Sequence, residues 1–209
     1  MIHIITAENR RHFHHALMEM HRQRKTVFID ELKWRLEDSA GLEIDSYDSA
    51  DAIYLIEADG PRAPVSASAR LLPTTQPHLL GEVFPQLCSE KPPAGPAVWE
   101  ATRFCPAPGT PNGAIRHAML GRIIAGIMET GLLFGIEQVT FVASAALAPL
   151  ALRAGWAVRA LGPARRVGRE RLAAFVADID SAGLRQVKAR HDLAGPLTRF
   201  MPGDLARAA

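Results

Sequence analysis

Hydrophobic and polar positions along the chain change period several times, and each change predicts an element. Residues 2–6 are mostly β-branched and predict a short first strand. From about Glu8 the period lengthens: Phe13, Leu17, Met20, Val27 and Phe28 recur at spacings of three, four and seven, the stripe of an amphipathic helix. Arg24 falls on that stripe, four after Met20 and three before Val27. A guanidinium on an apolar face requires carboxylate partners, and the acidic run Glu43-Ile-Asp45-Ser-Tyr-Asp48 supplies candidates. Residues 35–52 are polar and turn-rich, too long for a routine connection, and read as a functional loop or lid.

Period two then takes over. Residues 53–58 predict a strand, Asp59-Gly-Pro a turn, and residues 65–71 a second strand. In the latter Val65, Ala67, Ala69 and Leu71 face one side, and Ser66, Ser68 and Arg70 the other. Residues 73–96 are proline-rich and irregular, with Phe84 and Leu87 as apolar anchors. Trp99–Phe104 predicts a strand that carries Glu100 on the face of Val98 and Thr102, with Trp99 and Ala101 opposite. On a regular strand Arg103, three residues on, points away from Glu100. Either the two charges serve opposite faces or a β-bulge near Thr102 unites them, and the frequent placement of bulges beside active sites favours the bulge.

Residues 114–134 predict a second amphipathic helix with Ile115, Met119, Ile123 and Ile127 inward. Gly121, Gly126 and Gly131 each weaken it by about 1 kcal/mol relative to alanine, and glycines so placed permit close packing on a sheet. Strands at 139–143, 157–161 and 172–179 and a short helix at 145–153 complete the pattern, and the tail from Gly183 is left open. The mixture is α/β (α+β), without internal repeat, second domain or nucleotide-binding glycine fingerprint.

Composition narrows the class. The 209 residues, 48% hydrophobic, fit one large domain over residues 1–209. No stretch reaches the roughly 18 apolar residues of a membrane span, and the N-terminus turns polar too early for a signal peptide. Cys88 and Cys105 have no metal-ligand spacing, and two sparse cysteines suit a reducing cytoplasm. His12, His14 and His15 lack a helical i,i+4 pair and predict no metal site. The net charge of +2 hides an asymmetry. Acidic residues crowd 30–59, while Arg153, Arg159, Arg165, Arg166, Arg169, Arg171, Arg185 and Arg190 crowd the last third. These arginines are either a solvated surface or a docking face for an acidic partner. No nucleic-acid-binding motif accompanies them.

The chemistry lies in the charges set among apolar side chains: Arg24, Asp45, Asp48, Arg70, Glu100 and Arg103, with Phe28, Trp34 and Phe84 beside them. Burying such groups seldom stabilises a fold, so they point to a site. In order, Arg24-Lys-Thr-Val-Phe28, Trp34, Glu43-Ile-Asp45-Ser-Tyr-Asp48, Arg70-Leu-Leu-Pro-Thr-Thr, Leu79-Leu-x-x-x-Phe84 and Trp99-Glu-Ala-Thr-Arg-Phe104 resemble the acyl-homoserine-lactone synthases, the LuxI-type autoinducer synthases, over about residues 10–160.

The resemblance implies a single-domain, acetyltransferase-like (GNAT-like) three-layer α-β-α sandwich with a split, mostly antiparallel central sheet. Residues 1–110 would hold S-adenosylmethionine, and 111–209 the acyl chain and its carrier. It implies that the amine of S-adenosylmethionine, a substrate rather than a cofactor, attacks an acyl thioester on acyl carrier protein or coenzyme A. The carboxylate then closes on the γ-carbon and expels methylthioadenosine. Catalysis would fall to Glu100, Asp48 and Arg103. Glu100 or Asp48 takes the amine proton, and Arg24, Arg70 or Arg103 grips the carboxylate. Phe28 and Trp34 wall the adenosyl sulfonium, with Asp45 and Phe84 also on that substrate. Thr140, Val142 and Ser144 line the acyl pocket, and Ala143, Ala145, Ala146 and Leu147 make it roomy. Ser144 leans towards an oxygenated acyl chain. A cytoplasmic monomer without a membrane or nucleic-acid partner is expected. The competing reading is an acetyl-CoA-dependent N-acetyltransferase, against which the turn Gly113-Ala-Ile-Arg116-His-Ala-Met-Leu-Gly121 lacks that family's pyrophosphate-binding glycine pattern. A third is a degenerate synthase that only binds.

Overall fold

The computed structural model describes residues 1–145 and 147–202. Nine strands form one sheet: β1 (Ile2–Ile5), β2 (Ile53–Glu57), β3 (Ala67–Pro73), β4 (Val98–Pro106), β5 (Gln138–Ser144), β6 (Val158–Ala160), β7 (Arg165–Val167), β8 (Glu170–Asp178) and β9 (Thr198–Phe200). The helices are α1 (His14–Arg24), α2 (Leu79–Glu82), α3 (Ala114–Phe134), α4 (Ala148–Leu152) and α5 (Ser181–Arg190). The strand order is β6-β8-β5-β4-β3-β2-β1-β9, with β7 also on β8. Among the described residues only β4–β5 and β1–β9 pair parallel, so the sheet is mostly antiparallel.

Its period-two segments bury both faces, which makes a three-layer sandwich. On one face Ala67, Ala69 and Leu71 of β3 join Ile123, Ile124 and Ile127 of α3 in the larger core. On the other, Tyr54 and Ile56 of β2 pack with Ala16 and Met20 of α1 and with Phe13 just before it. The predicted glycine packing on the sheet is present at Gly126, while Gly131 meets Ile179 just past β8 and Gly121 meets His191 after α5. A Cβ on Gly126 would lie 2.8 Å from Ile2, and one on Gly131 2.7 Å from Ile179. α3 has the length and apolarity of a membrane span, but most of it is buried in this core. Its expected inward face is corrected at Ile115, which is exposed near the helix start while Met119, Ile123 and Ile127 are buried.

Two departures from regularity make the site. The parallel β4–β5 ladder runs from Val98 opposite Gln138 to Ala101 opposite Phe141, then stops, although both strands continue. Beyond that point the sheet is split, with β4 still on β3 and β5 still on β8. In the β3–β4 ladder Ser68 faces Cys105 but Arg70 faces Thr102, so β4 carries one extra residue. The bulge centres on Arg103, whose φ of 54° lies in the left-handed region. Alternation therefore resets: Trp99, Ala101 and Phe104 pack towards α3, while Glu100, Thr102 and Arg103 share the opposite face.

Elements unseen in the sequence are short or late. β7 and β9 have three residues each, and α5 lies in the open tail, where Asp180 caps it by accepting from Gly183 N–H at 2.7 Å. β9 returns to pair parallel with β1, so the 111–209 segment supplies strands at both ends of the sheet. The predicted helix at 145–153 shortens to α4, and Ala146 lies outside the described residues.

Candidate active site

α1 ends at Arg24 and continues as a wider π-type turn, Lys25–Glu31, which turns Val27 and Phe28 inward. Arg24 is wholly buried. It grips Asp48 with both terminal nitrogens at 2.9 Å and also binds Glu43. The irregular 35–52 loop thus threads its acidic run across this face. Arg70 reaches Asp45 at 2.6 and 3.0 Å, Asp48 at 2.7 Å and the Thr102 hydroxyl at 3.1 Å. Arg103, delivered by the bulge, reaches Glu43 at 2.9 Å and Asp45 at 2.7 Å. Arg24, Arg70 and Arg103 are thereby interleaved with Glu43, Asp45 and Asp48, a charge-balanced lattice in which removing one partner strands another. Asp45, whose side chain is 18% exposed, is the accessible carboxylate; those of Glu43 and Asp48 are 1% and 3% exposed.

Asp48 and Glu100 are set to opposite uses. Burial would raise the Asp48 carboxyl, but the Arg24 hydrogen bonds and charge, then Arg70 and the Asp45 N–H, hold it far below the usual carboxylate range. It also accepts from the Tyr54 hydroxyl at 2.8 Å. So committed, Asp48 has little basicity, and this geometry does not suit it to the proton-acceptor part expected of it. Glu100 accepts the N–H groups of Leu79 and Leu80 at 2.8 and 2.9 Å, at the start of α2. Burial pushes its carboxyl up to about 7 against the pull of those N–H groups, Arg70 and Arg103.

Phe28 and Trp34 form an aromatic wall, stacked with centroids 4.8 Å apart and planes 8° from parallel. The Arg103 guanidinium stands 5.7 Å from the Phe28 centroid. Phe84, expected in the same place, packs elsewhere, with Leu80, Leu87, Val142 and Leu172. That apolar cluster lies on the β5–β8 side of the split, because Phe84 sits just beyond α2, which leans on β5. Thr140 is buried, its hydroxyl donating to the Trp99 carbonyl at 3.3 Å, and Val142 and half-buried Ser144 follow it on the same side of β5. Ala143 and Leu147 pack into the α3-side core and Ala145 is exposed, so these three do not enlarge a pocket there.

Three contacts went unread in the sequence: the second tie of Glu43, a candidate partner of Arg24, to Arg103; Tyr54, which holds Asp48; and Glu170, which accepts the Trp34 indole N–H at 3.0 Å. The first two left a signal. Glu43 lies in the quoted acidic run, and a tyrosine in the middle of a buried strand needs a hydroxyl partner.

A split, mostly antiparallel sheet between helical layers, with titratable groups at the split, defines an acetyltransferase-like fold, and a Lactobacillus plantarum protein assigned as an N-acetyltransferase shares it. That likeness, a TM-score of 0.55 at 15% identity over 86% of this chain and 99% of that one, concerns fold alone. The autoinducer synthase family model matches residues 8–187, and the chain belongs to that family. It is 36% identical over 165 residues to the isovaleryl-homoserine lactone synthase of Bradyrhizobium diazoefficiens, covering 78% of this chain and 72% of that protein. An acyl-homoserine-lactone synthase of Pseudomonas aeruginosa is 32% identical over 162 residues, covering 76% and 77%. Among solved structures, the CoA-dependent acyl-homoserine lactone synthase BjaI, with SAM and isopentyl-CoA, superposes with a TM-score of 0.87 at 31% identity, covering 100% of this chain and 98% of that one.

Proposed function

We propose that this autoinducer synthase makes an acyl-homoserine lactone, joining an acyl thioester to S-adenosylmethionine and releasing methylthioadenosine. The observation that carries this reading is the bulge at Arg103, which turns Glu100, Thr102 and Arg103 to one face where β4 and β5 part. In this reading S-adenosylmethionine lies over the arginine–carboxylate lattice, its sulfonium and adenosine against Phe28 and Trp34. Asp45, the accessible carboxylate, receives the ammonium, and Arg103 the carboxylate. Arg24, Arg70 and Asp48 hold those contacts in place.

Glu100 takes the ammonium proton. A carboxyl near 7 is matched to an α-ammonium of about 7.7–8, so the transfer is nearly balanced at neutral pH. The freed amine adds to the thioester carbonyl across the split, and the thiolate leaves. The carboxylate then displaces methylthioadenosine from the γ-carbon, and the C–O bond formed closes the lactone. The acyl chain runs along Thr140, Val142 and Ser144 into the cluster that holds Phe84, an acyl-side placement for that residue.

The donor's anionic carrier docks on the basic edge that bears Arg159, Arg165, Arg166, Arg169 and Arg171. Likeness to CoA-dependent BjaI supports acyl-CoA, while the missing glycine pattern at 113–121 supports acyl carrier protein. Incubating the protein with S-adenosylmethionine and matched acyl-CoA and acyl-carrier donors tests both points. Methylthioadenosine and lactone in equal amounts support the reading, with the faster donor naming the carrier. S-adenosylhomocysteine without lactone ends it.

A further inference from the structure

Trp34 is held more firmly than a wall residue on an irregular segment needs to be. Lys33 before it adopts a φ of 58°, its own N–H donates to the Phe28 carbonyl at 2.9 Å, and its ring lies flat on Phe28. The last degree of freedom, rotation of the indole in its plane, is fixed by the 3.0 Å bond from Nε1–H to Glu170. Glu170 belongs to the other side of the split. The β5–β8 ladder ends where Ser144 faces Leu172, and the β7–β8 hairpin projects past that end. The hairpin otherwise carries Arg165, Arg166, Arg169 and Arg171, and the last three line a groove with Glu170. Among the described residues Glu170 makes no ion pair within 4 Å with these arginines; its partner is the indole. A lone carboxylate in a basic hairpin, spent on a tryptophan 136 residues away, has a use other than charge balance.

We propose that Glu170 is a positioning residue for S-adenosylmethionine: reaching from the acyl side of the split, it orients the Trp34 indole and completes the aromatic wall. The wall then has its full affinity only when the hairpin beside the donor groove is in place, so the two substrate sites are mechanically joined through one hydrogen bond. The proposal rests on the reading of Phe28 and Trp34 as the wall of that site.

The test is equilibrium binding of S-adenosylmethionine, with melting temperatures recorded to confirm folding, to the wild type and to Glu170→Ala, Glu170→Gln, Trp34→Phe, Trp34→Ala and the Trp34→Phe/Glu170→Ala pair. Losing one hydrogen bond to a charged, half-buried acceptor weakens binding by roughly five- to twentyfold in Glu170→Ala and in Trp34→Phe alike. The double variant is no weaker than either single one, because both remove the same bond. Glutamine keeps an acceptor oxygen and restores most of the loss. In turnover the Glu170→Ala defect appears as a raised KM for S-adenosylmethionine with kcat changed by less than about twofold, since chemistry at Glu100 is untouched. Unaltered affinity in Glu170→Ala beside a loss in Trp34→Ala overturns the proposal alone, and so do additive losses in the double variant. Unaltered affinity in Trp34→Ala removes the wall itself, and the proposal with it.

Discussion

Replacing Glu100 by glutamine separates catalysis from scaffold. The side chain is 1% exposed and accepts two backbone N–H groups, from Leu79 and Leu80. Glutamine keeps one acceptor oxygen and presents an NH2 to the other donor, so one buried N–H loses its partner, at a cost of about 1–3 kcal/mol. A second effect opposes it. Raising the carboxyl from 4.5 to about 7 makes its ionisation cost about 3 kcal/mol more in the folded chain than in the unfolded one. The folded state therefore binds this proton more tightly, and wild-type stability from this group is full below about 4.5 and declines as pH rises to about 7. Glutamine never ionises and escapes that decline. At pH 8 the two effects offset and the melting temperature of Glu100→Gln stays close to wild type; at pH 5 only the orphaned N–H remains and the variant melts lower. Activity behaves otherwise. Loss of the proton acceptor lowers kcat by roughly 10²–10⁴-fold, and raising pH partly restores it because more substrate amine arrives unprotonated. Calorimetric melts at pH 5 and 8 beside kcat over the same range decide the matter. A folded Glu100→Gln protein with near-normal kcat would refute the assignment.

The lattice and the basic edge make further predictions. Arg24→Leu leaves Glu43 and Asp48 buried without their shared cation and costs about 3–5 kcal/mol, measured by denaturant unfolding. Arg103→Gly and Arg103→Ala both raise the KM for S-adenosylmethionine, but the glycine variant is the more stable by about 1 kcal/mol because glycine accepts a φ of 54° without strain. Reversing charge at Arg166 raises the donor KM more than it lowers kcat. The wild-type donor KM also rises with salt, since docking charges are screened over about 8 Å at physiological ionic strength. A salt-independent donor KM would remove the docking edge.

Much of this site is legible in the sequence because its residues violate local expectation. Arg24 on an apolar stripe, and Arg70 and Glu100 in alternating strands, announce buried charge, and their spacing assigns them to elements that do form. The split and the bulge are harder. A bulge can be inferred from Glu100 and Arg103 lying three apart, but the residue that takes the positive φ is decided by pairing with β3, and it is Arg103 rather than Thr102. Phe84 carries no sign of which side of the split it fills, since α2 has four residues and no usable periodicity. β7 and β9 are too short to alternate, and Glu170 reads as one more surface charge until folding brings it to Trp34.

In the proposed reaction one active site both acylates S-adenosylmethionine and closes its carboxylate on the γ-carbon. S-adenosylmethionine labelled with ¹⁸O in both carboxylate oxygens, supplied with an acyl thioester in ordinary water, tests it directly by mass spectrometry. The expected lactone retains both labels, one in the carbonyl and one in the ring, with an equal amount of unlabelled methylthioadenosine. A lactone carrying a single label, or an acylated product that never cyclises, would contradict it.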